Sequence, residues 1–233
     1  QRWVLLGKIT ACAGRVTRME QQDILSMNLL ELQAAVHELG EPKFRAKQIF
    51  NWLHQKRVTD FSEMTTLSLP FRERLASDFC INRLKIAKRL ASSVDDTVKY
   101  LYELPDGNYV ETVCMQYHHG TSLCISTQVG CRMGCRFCAS AIAGFVRNLT
   151  PAEMLLQIYE TERAQNCKIS SLVLMGIGEP LDNFDNVLRF LQLLSDPNGY
   201  GMSLRHVTVS TCGVVPKILE LAEQRLGLTL SVS

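Results

Sequence analysis

Three cysteines with the spacing C-x3-C-x2-C lie in the middle of the sequence, at Cys131, Cys135 and Cys138. They directly follow an apolar run from Leu123 to Val129. Three thiolates on one short loop can bind three corners of a cubane iron–sulfur cluster and leave the fourth iron open to an outside ligand. The spacing therefore favours a reactive iron–sulfur site.

A structural zinc site is the main alternative for these cysteines. Such sites use four ligands, commonly as two short pairs, and the loop contains only one C-x2-C pair. Cys124 could supply a fourth sulfur, although a strand through the apolar run is expected to point it elsewhere. If the cysteines bind zinc, the chain would be a zinc-stabilised RNA-binding module without catalysis. The odd number of cysteines, nine, and the absence of a recognisable signal sequence predict a reducing, cytoplasmic location.

The composition is that of an ordinary globular protein, with 46% hydrophobic and 21% charged residues. No apolar segment approaches the ~18 residues that a membrane span needs. The net charge of +2 hides a basic region, because eleven basic and four acidic residues lie between Pro42 and Leu90. This region indicates a polyanionic partner, and on charge alone a solvated helical face explains it equally well.

The elements that must position the cysteines divide the chain into four predicted segments. Residues 1–18 are predicted to be a non-native or disordered extension, with Met19 as the natural start. Residues 19–81 are predicted to form a basic helical RNA-binding domain, whose first helix begins with the capping pair Asn28 and Glu31. Residues 82–120 have the period of antiparallel strands, with turn residues between them. Residues 121–233 are predicted to form an incomplete α/β core.

The α/β core is predicted from apolar strands that alternate with helices, which is typical of a parallel sheet covered on both faces. In such folds functional groups collect at the carboxyl ends of the strands. The cysteine loop, the turn Gly178-Glu179-Pro180 and the segment Ser210–Gly213 all follow predicted strands. A carboxylate at Glu179 could bind an ammonium group, and Ser210 offers a hydroxyl. Four strands are too few to close a barrel, so the chain is expected to be cut.

Several motifs together resemble those of known enzymes. The cysteine spacing with Phe137 resembles the signature of radical S-adenosylmethionine (SAM) enzymes, and Gly178-Glu179-Pro180 resembles the turn in these enzymes that binds the methionine amine. Further segments resemble the ribosomal and transfer RNA adenine-C2 methyltransferases: Phe44–Gln48, Val110–Val113, Cys124, Gly144-Phe145, Arg147–Leu149, Gly178–Asn183 and Val209–Pro216. The resemblance implies a partial (β/α) radical-SAM barrel, preceded by a small helical domain and antiparallel strands.

The resemblance also implies a mechanism and its cofactors. Cys131, Cys135 and Cys138 would bind a [4Fe-4S] cluster, whose open iron chelates SAM. Reductive cleavage of SAM would give a 5′-deoxyadenosyl radical, which abstracts hydrogen from a methylated cysteine. The resulting carbon radical would add to adenine C2. The implied SAM contacts are Glu179, Asn183, Ser210 and Ser233.

Two further residues gain roles from the same resemblance. Cys124 would act as base and close a disulfide that releases the product, and Glu111 would be an active-site carboxylate. The family's methylated cysteine, which lies near its carboxyl terminus, has no counterpart here. The chain as it stands is therefore expected to bind a cluster without completing methyl transfer. A related adenine-C8 methyltransferase remains an alternative, because it shares the cysteines and the radical chemistry.

The implied partners are RNA and an electron donor. The substrate would be 23S ribosomal RNA, with transfer RNA as a second candidate, and a single-stranded or loop adenine is expected because C2 of a stacked base is hard to reach. A protein such as flavodoxin or ferredoxin would supply electrons. A monomer without membrane association is expected.

Overall fold

The computed structural model describes residues 21–142 and 144–233. The extension predicted for residues 1–18, and Met19, lie outside these described residues. Within them, no helix is both long enough and apolar enough to span a membrane.

The first part of the chain is a small helical unit. The pair Asn28 and Glu31 forms the expected capping box, with each backbone N–H donating to the other side chain at 2.9 Å. These reciprocal bonds satisfy donors that a helix start leaves free. Its elements are strand β1 (Gln22–Asp23), helices α1 (Leu29–Glu38), α2 (Phe44–Asn51) and α3 (Leu69–Asp78), and strand β2 (Phe79–Cys80), which pairs with β1.

A seven-stranded mixed sheet forms the rest of the fold, and its strand order is β11-β10-β9-β6-β5-β4-β3. Strands β3 to β6 pair antiparallel, whereas β6, β9, β10 and β11 are parallel. The expected α/β class, with antiparallel strands before a parallel part, is confirmed. In chain order the elements are β3 (Lys85–Ala91), β4 (Val98–Glu103), β5 (Tyr109–Tyr117), β6 (Gly120–Cys124), β7 (Gln128–Gly130), β8 (Phe145–Asn148), α4 (Pro151–Gln165), β9 (Ile169–Leu174), α5 (Phe184–Ser195), β10 (Val207–Thr211), α6 (Val215–Glu223) and β11 (Thr229–Val232).

The position of the cysteine loop differs from the expectation. The apolar run Leu123–Val129 is not one strand, because β6 ends at Cys124 and β7 begins at Gln128. Ser126 lies between them, where its hydroxyl donates to the Glu111 carbonyl at 2.6 Å and accepts from the Ile177 N–H at 3.0 Å. The cysteines therefore lie in the loop of a separate β7–β8 hairpin, one short strand beyond the parallel sheet.

The two faces of the sheet have different surroundings. One face is buried under helices: Thr112 on β5 donates to Gln157 on α4 at 2.8 Å. Residues directly opposite in a sheet point to the same side. Val113 pairs with Cys124, Cys124 with Val173, and Val173 with Thr208. We name this half-exposed side the open face, defined by Glu111, Val113, Cys124, Val173 and Ser210.

The helical unit is fixed to the core through helix α4. Glu162 of α4 forms an ion pair with Arg57, and Glu160 lies 3.2 Å from the Arg83 guanidinium. Both glutamate side chains are buried. Part of the basic charge counted in the sequence is therefore paired with buried carboxylates of α4.

His54 is a further anchor in this contact. It lies in the π-helical turn Trp52–Lys56, where its Nδ1 is 2.9 Å from the Tyr159 hydroxyl. Its ring packs against Phe50, and its Nε2 is buried without a partner among the described residues. Burial lowers the pKa of His54 to about 4, although the charge of Asp196 opposes the shift.

We expect the stability of the protein to depend on His54 between about pH 6.5 and 4. In this window the unfolded state binds a proton that the folded state excludes, so the free energy of unfolding falls as the pH falls. The full effect is about 3 kcal/mol. Urea unfolding at several pH values gives the free energy of unfolding as a function of pH. The slope of this free energy against pH should be shallower for H54Q than for the wild type, and H37Q, which changes an exposed histidine, should keep the wild-type slope. Equal slopes for all three proteins would contradict this assignment.

Candidate active site

The cysteine loop is held closed by backbone hydrogen bonds. The Cys131 N–H donates to the Gly144 carbonyl and the Cys138 N–H donates to the Cys135 carbonyl, both at 3.1 Å. All three cysteines are half-buried and free. Burial raises the pKa of Cys131, and the neighbouring thiols of Cys138 and Cys135 raise it further. The Cys135 and Cys138 thiols are thus near enough to influence the ionisation of Cys131.

Three thiols on one loop are the donor set that a cubane cluster requires. Among the described side chains, no group of three or more Cys, His, Asp or Glu surrounds a point that a metal ion could occupy. The cysteines are thus close neighbours on the loop, without a converged ligand cage.

The turn after β9 places Glu179 beside this loop. Gly178 has a φ of +109°, and a Cβ there would lie 2.8 Å from the backbone nitrogen of Gln128. Glycine is therefore needed both for the backbone angle and for the close approach. The Glu179 side chain is 4% exposed. Its Oε1 accepts from the Leu181 N–H at 2.9 Å and its Oε2 from the Cys212 N–H at 2.8 Å.

Cys212, which follows β10, is a neighbour of Glu179 that the sequence did not single out. Its thiol is exposed. The loss of part of its hydration, together with the adjacent Glu179 carboxylate, nevertheless raises the pKa of Cys212 to about 11, and the Cys135 and Cys131 thiols add to the shift. The cysteine loop, the Glu179 turn and the end of β10 therefore meet at one edge of the sheet.

The other predicted SAM contacts occupy different environments. Asn183 is buried, and its Nδ2 donates to the carbonyls of Thr127 and Leu149, both at 2.8 Å. Its amide thus ties β7 and β8 to the Glu179 turn. Ser210 lies half-buried on the open face, whereas Ser233 is exposed and its N–H donates to the Thr211 carbonyl at 3.0 Å.

Cys124 and Glu111 lie on the open face, away from the helices. Cys124 is the last residue of β6 and is half-buried. Burial raises the pKa of Cys124, and a hydrogen bond from the Met175 N–H partly opposes this. The Glu111 carboxylate is 2.7 Å from the Lys99 ammonium group. Both predicted catalytic side chains therefore share one face with Ser210.

Gln128 is a buried polar residue that the sequence reasoning missed. It is fully buried in β7, and its side chain bonds Glu179, Asp182 and Asn148. The available signal was an amide within the apolar run that precedes the cysteines, since a buried amide needs hydrogen-bond partners.

Comparison with known proteins agrees with this arrangement. A family model described as the ribosomal RNA large subunit methyltransferase N-terminal domain matches residues 22–81, and the radical SAM superfamily model matches residues 125–232. Together the two matches cover more than half of the chain.

Two probable dual-specificity RNA methyltransferases RlmN are among the similar proteins. That of Lachnoclostridium phytofermentans is 51% identical over 217 residues, which are 92% of this chain and 60% of the relative. That of Clostridium novyi is 47% identical over 212 residues, which are 91% of this chain and 62% of the relative. The chain thus spans about three fifths of the length of these relatives.

A crystal structure of a radical SAM methyltransferase from Sphaerobacter thermophilus superposes with a TM-score of 0.84 at 34% identity. The match covers 91% of this chain and 63% of that protein. The fold, both family models and the relatives agree: the chain belongs to the RlmN family of radical SAM RNA methyltransferases.

Proposed function

We propose that this chain supplies the cluster and the SAM site for the methylation of C2 of adenine in 23S ribosomal RNA and in transfer RNA. The observation that supports the proposal most strongly is the meeting of three loops at one sheet edge. The half-buried cysteine loop, the buried Glu179 carboxylate and the end of β10 lie together there, beside the open face that carries Cys124. This arrangement offers a place for a cluster and a ligand at the edge of the face that carries the Cys124 thiol.

Cys131, Cys135 and Cys138 would hold the [4Fe-4S] cluster. Bound there, the cluster would supply the electron that cleaves SAM. Glu179 is suited to the SAM ammonium group, because each of its oxygens accepts one backbone N–H and retains a second lone pair. Its orientation is set by those two bonds before any ligand arrives.

The remaining contacts to SAM are proposed from position. Ser210 would offer its hydroxyl from the open face, and Ser233 would approach from the end of the neighbouring strand. Asn183 holds the Thr127 and Leu149 carbonyls, so its contact to SAM would be made through its Oδ1, which also accepts from Asn186 at 2.8 Å.

Cys124 is proposed to take the proton from adenine C2. The disulfide that releases the product would form between Cys124 and the family's methylated cysteine, which has no counterpart in this sequence, as the bond between that cysteine's sulfur and the transferred carbon breaks and the carbon takes the electron pair and a proton. The raised pKa of Cys124 means that the thiol keeps its proton in the resting protein, so it must lose this proton before it acts as a base. Glu111 lies two residues from Val113, the cross-strand neighbour of Cys124, and Lys99 fixes its carboxylate. We propose that Glu111 is a polar contact of the substrate on this face.

RNA would bind to basic residues between Pro42 and Leu90 whose charge is not paired inside the protein. Arg57 and Arg83 are occupied by glutamates of α4, whereas Lys85, Lys88 and Arg89 lie on the exposed strand β3. These three are the better phosphate contacts, because phosphate binding needs free positive charge. We also propose a flavodoxin- or ferredoxin-like electron donor and a cytoplasmic monomer.

The position of methylation can be tested in cells that carry or lack the gene. Digested 23S and transfer RNA should contain 2-methyladenosine only in cells with the gene, as mass spectrometry against synthetic standards would show. Loss of 8-methyladenosine instead would assign the C8 reaction. Unchanged RNA would contradict the proposal. A plasmid copy of the gene should restore the modification and serves as the control.

A further inference from the structure

Gln128 forms hydrogen bonds through both amide hydrogens and through the amide oxygen of its side chain. Its Oε1 accepts from the Glu179 N–H at 2.9 Å, and its Nε2 donates to Asp182 Oδ2 at 2.7 Å and to Asn148 Oδ1 at 2.8 Å. The side chain is fully buried. The Glu179 N–H can only donate, so the orientation of the Gln128 amide is fixed.

Asp182 connects Gln128 to the cysteine loop. The oxygen that accepts from Gln128 also forms an ion pair with Arg132, whose Nε lies 2.9 Å away. Arg132 follows the first cysteine directly, and its guanidinium lies 3.8 Å from the centre of the Phe145 ring. The loop side chain is thus held by a charge on one side and by an aromatic ring on the other.

At its other end the chain of contacts reaches β10. Gln128 holds the backbone of Glu179, and the Glu179 carboxylate accepts from the Cys212 N–H at 2.8 Å. A continuous path therefore runs from Arg132 through Asp182, Gln128 and Glu179 to Cys212. It joins all three loops at the site.

We propose that Gln128, with Asp182, is a positioning residue that sets the cysteine loop at the correct distance from Glu179 for SAM binding. The inference rests on the proposed function, in which one SAM molecule must reach both the cluster and Glu179. The polar contacts of the Gln128 side chain are all to protein groups, so its effect on SAM would be indirect. It acts through Glu179 on one side and through Arg132 on the other.

A structural role alone would predict a different response to mutation. If Gln128 only stabilised the hairpin, its replacement would lower the melting temperature and leave the SAM affinity of folded protein unchanged. A positioning role predicts weaker SAM binding in protein that still folds and still takes up iron. Replacement of residues that orient metal ligands typically costs 10–100-fold in affinity or activity, which sets the expected scale at about tenfold or more.

The variant Q128E should keep the contact to Glu179 and lose the contacts to Asp182 and Asn148. The new carboxylate can still accept from the Glu179 N–H, but it has no proton to donate to Asp182 or Asn148. Two carboxylates then face each other, which should displace Asp182 from Arg132.

The measurement is a SAM titration of anaerobically reconstituted, reduced protein. SAM binding is monitored through the change in the electron paramagnetic resonance spectrum of the cluster. Iron content and thermal unfolding are measured on the same samples. Q192E is the matched control, because it makes the same chemical change at an exposed position of α5. We expect the SAM dissociation constant to rise about tenfold in Q128E and to stay at the wild-type value in Q192E.

The outcomes separate this inference from the proposed function. Wild-type protein that takes up no cluster or binds no SAM would contradict the function itself. Wild-type-like SAM binding by folded Q128E would overturn the positioning role alone. If Q128E does not fold, D182N replaces it as the test. This change lies at a half-exposed side chain and removes the charge that holds Arg132; it must weaken SAM binding, or the inference is wrong.

Discussion

The variant C135A is expected to lose most of the iron that the wild-type protein takes up during anaerobic reconstitution. Cys135 is the central thiol of a loop whose Cys131 and Cys138 ends are tied by backbone bonds. A cluster held by three thiolates has no spare protein ligand to replace one that is removed. Iron and sulfide analysis, with the broad absorption near ~400 nm that such clusters show, would measure the loss. C131A and C138A are expected to behave alike.

Two nearby cysteines serve as controls and also test the zinc alternative. Cys124 is the sulfur that could complete a four-ligand zinc site, and Cys212 has its backbone bonded to Glu179. C124A and C212A should therefore retain iron and absorption at the wild-type level. Stoichiometric zinc in place of iron, lost in C124A as well as in C135A, would instead support a structural zinc site.

The helix starts were predictable because their signals are local. Asn28 with Glu31 and Thr150 with Glu153 form capping boxes in the structure, and the helices begin one residue after each cap. All partners in such a box lie within four residues. The sequence therefore contains the whole interaction, and no distant element can change it.

The break in the apolar run before the cysteines was not predictable in this way. The run Leu123–Val129 has the composition of one buried strand, and the chain departs from β6 because Ser126 bonds Glu111 and Ile177. These partners are 15 and 51 residues away. The periodicity of a short segment carries no information about contacts with distant residues. The sequence therefore predicted one continuous strand and did not predict the hairpin that holds the cysteines.

In the candidate site too, residues with local signals could be predicted from the sequence, and residues whose roles depend on distant partners could not. The cysteines and the Gly178-Glu179-Pro180 turn were recognisable because their chemistry and spacing are written within a few residues. The role of Gln128 depends on Asp182, which is 54 residues away, and on a turn that packs against its backbone. Basic residues such as Arg57 likewise appear free in a charge count, although Glu162 of a distant helix neutralises this one.

The second large effect is expected for G130A, a change at the entrance of the cysteine loop. Gly130 has a φ of +74°, and a Cβ there would lie 1.7 Å from the Gly144 carbonyl oxygen. The same oxygen accepts the Cys131 N–H that closes the loop. Because the obstacle is backbone, no side-chain rotation can relieve the overlap. We expect the free energy of unfolding to fall by about 4 kcal/mol or more, with loss of cluster binding.

The variant G134A separates this overlap from the cost of the backbone angle. Gly134 lies in the same loop with a φ of +69°, yet a Cβ there would have no neighbour within 4 Å. Alanine should cost only the left-handed conformation, about 1 kcal/mol, and iron binding should persist. Urea unfolding and iron analysis of both variants would compare the two effects. Equal losses would mean that backbone conformation alone, and not the contact between Gly130 and Gly144, keeps the loop in the form that binds a cluster.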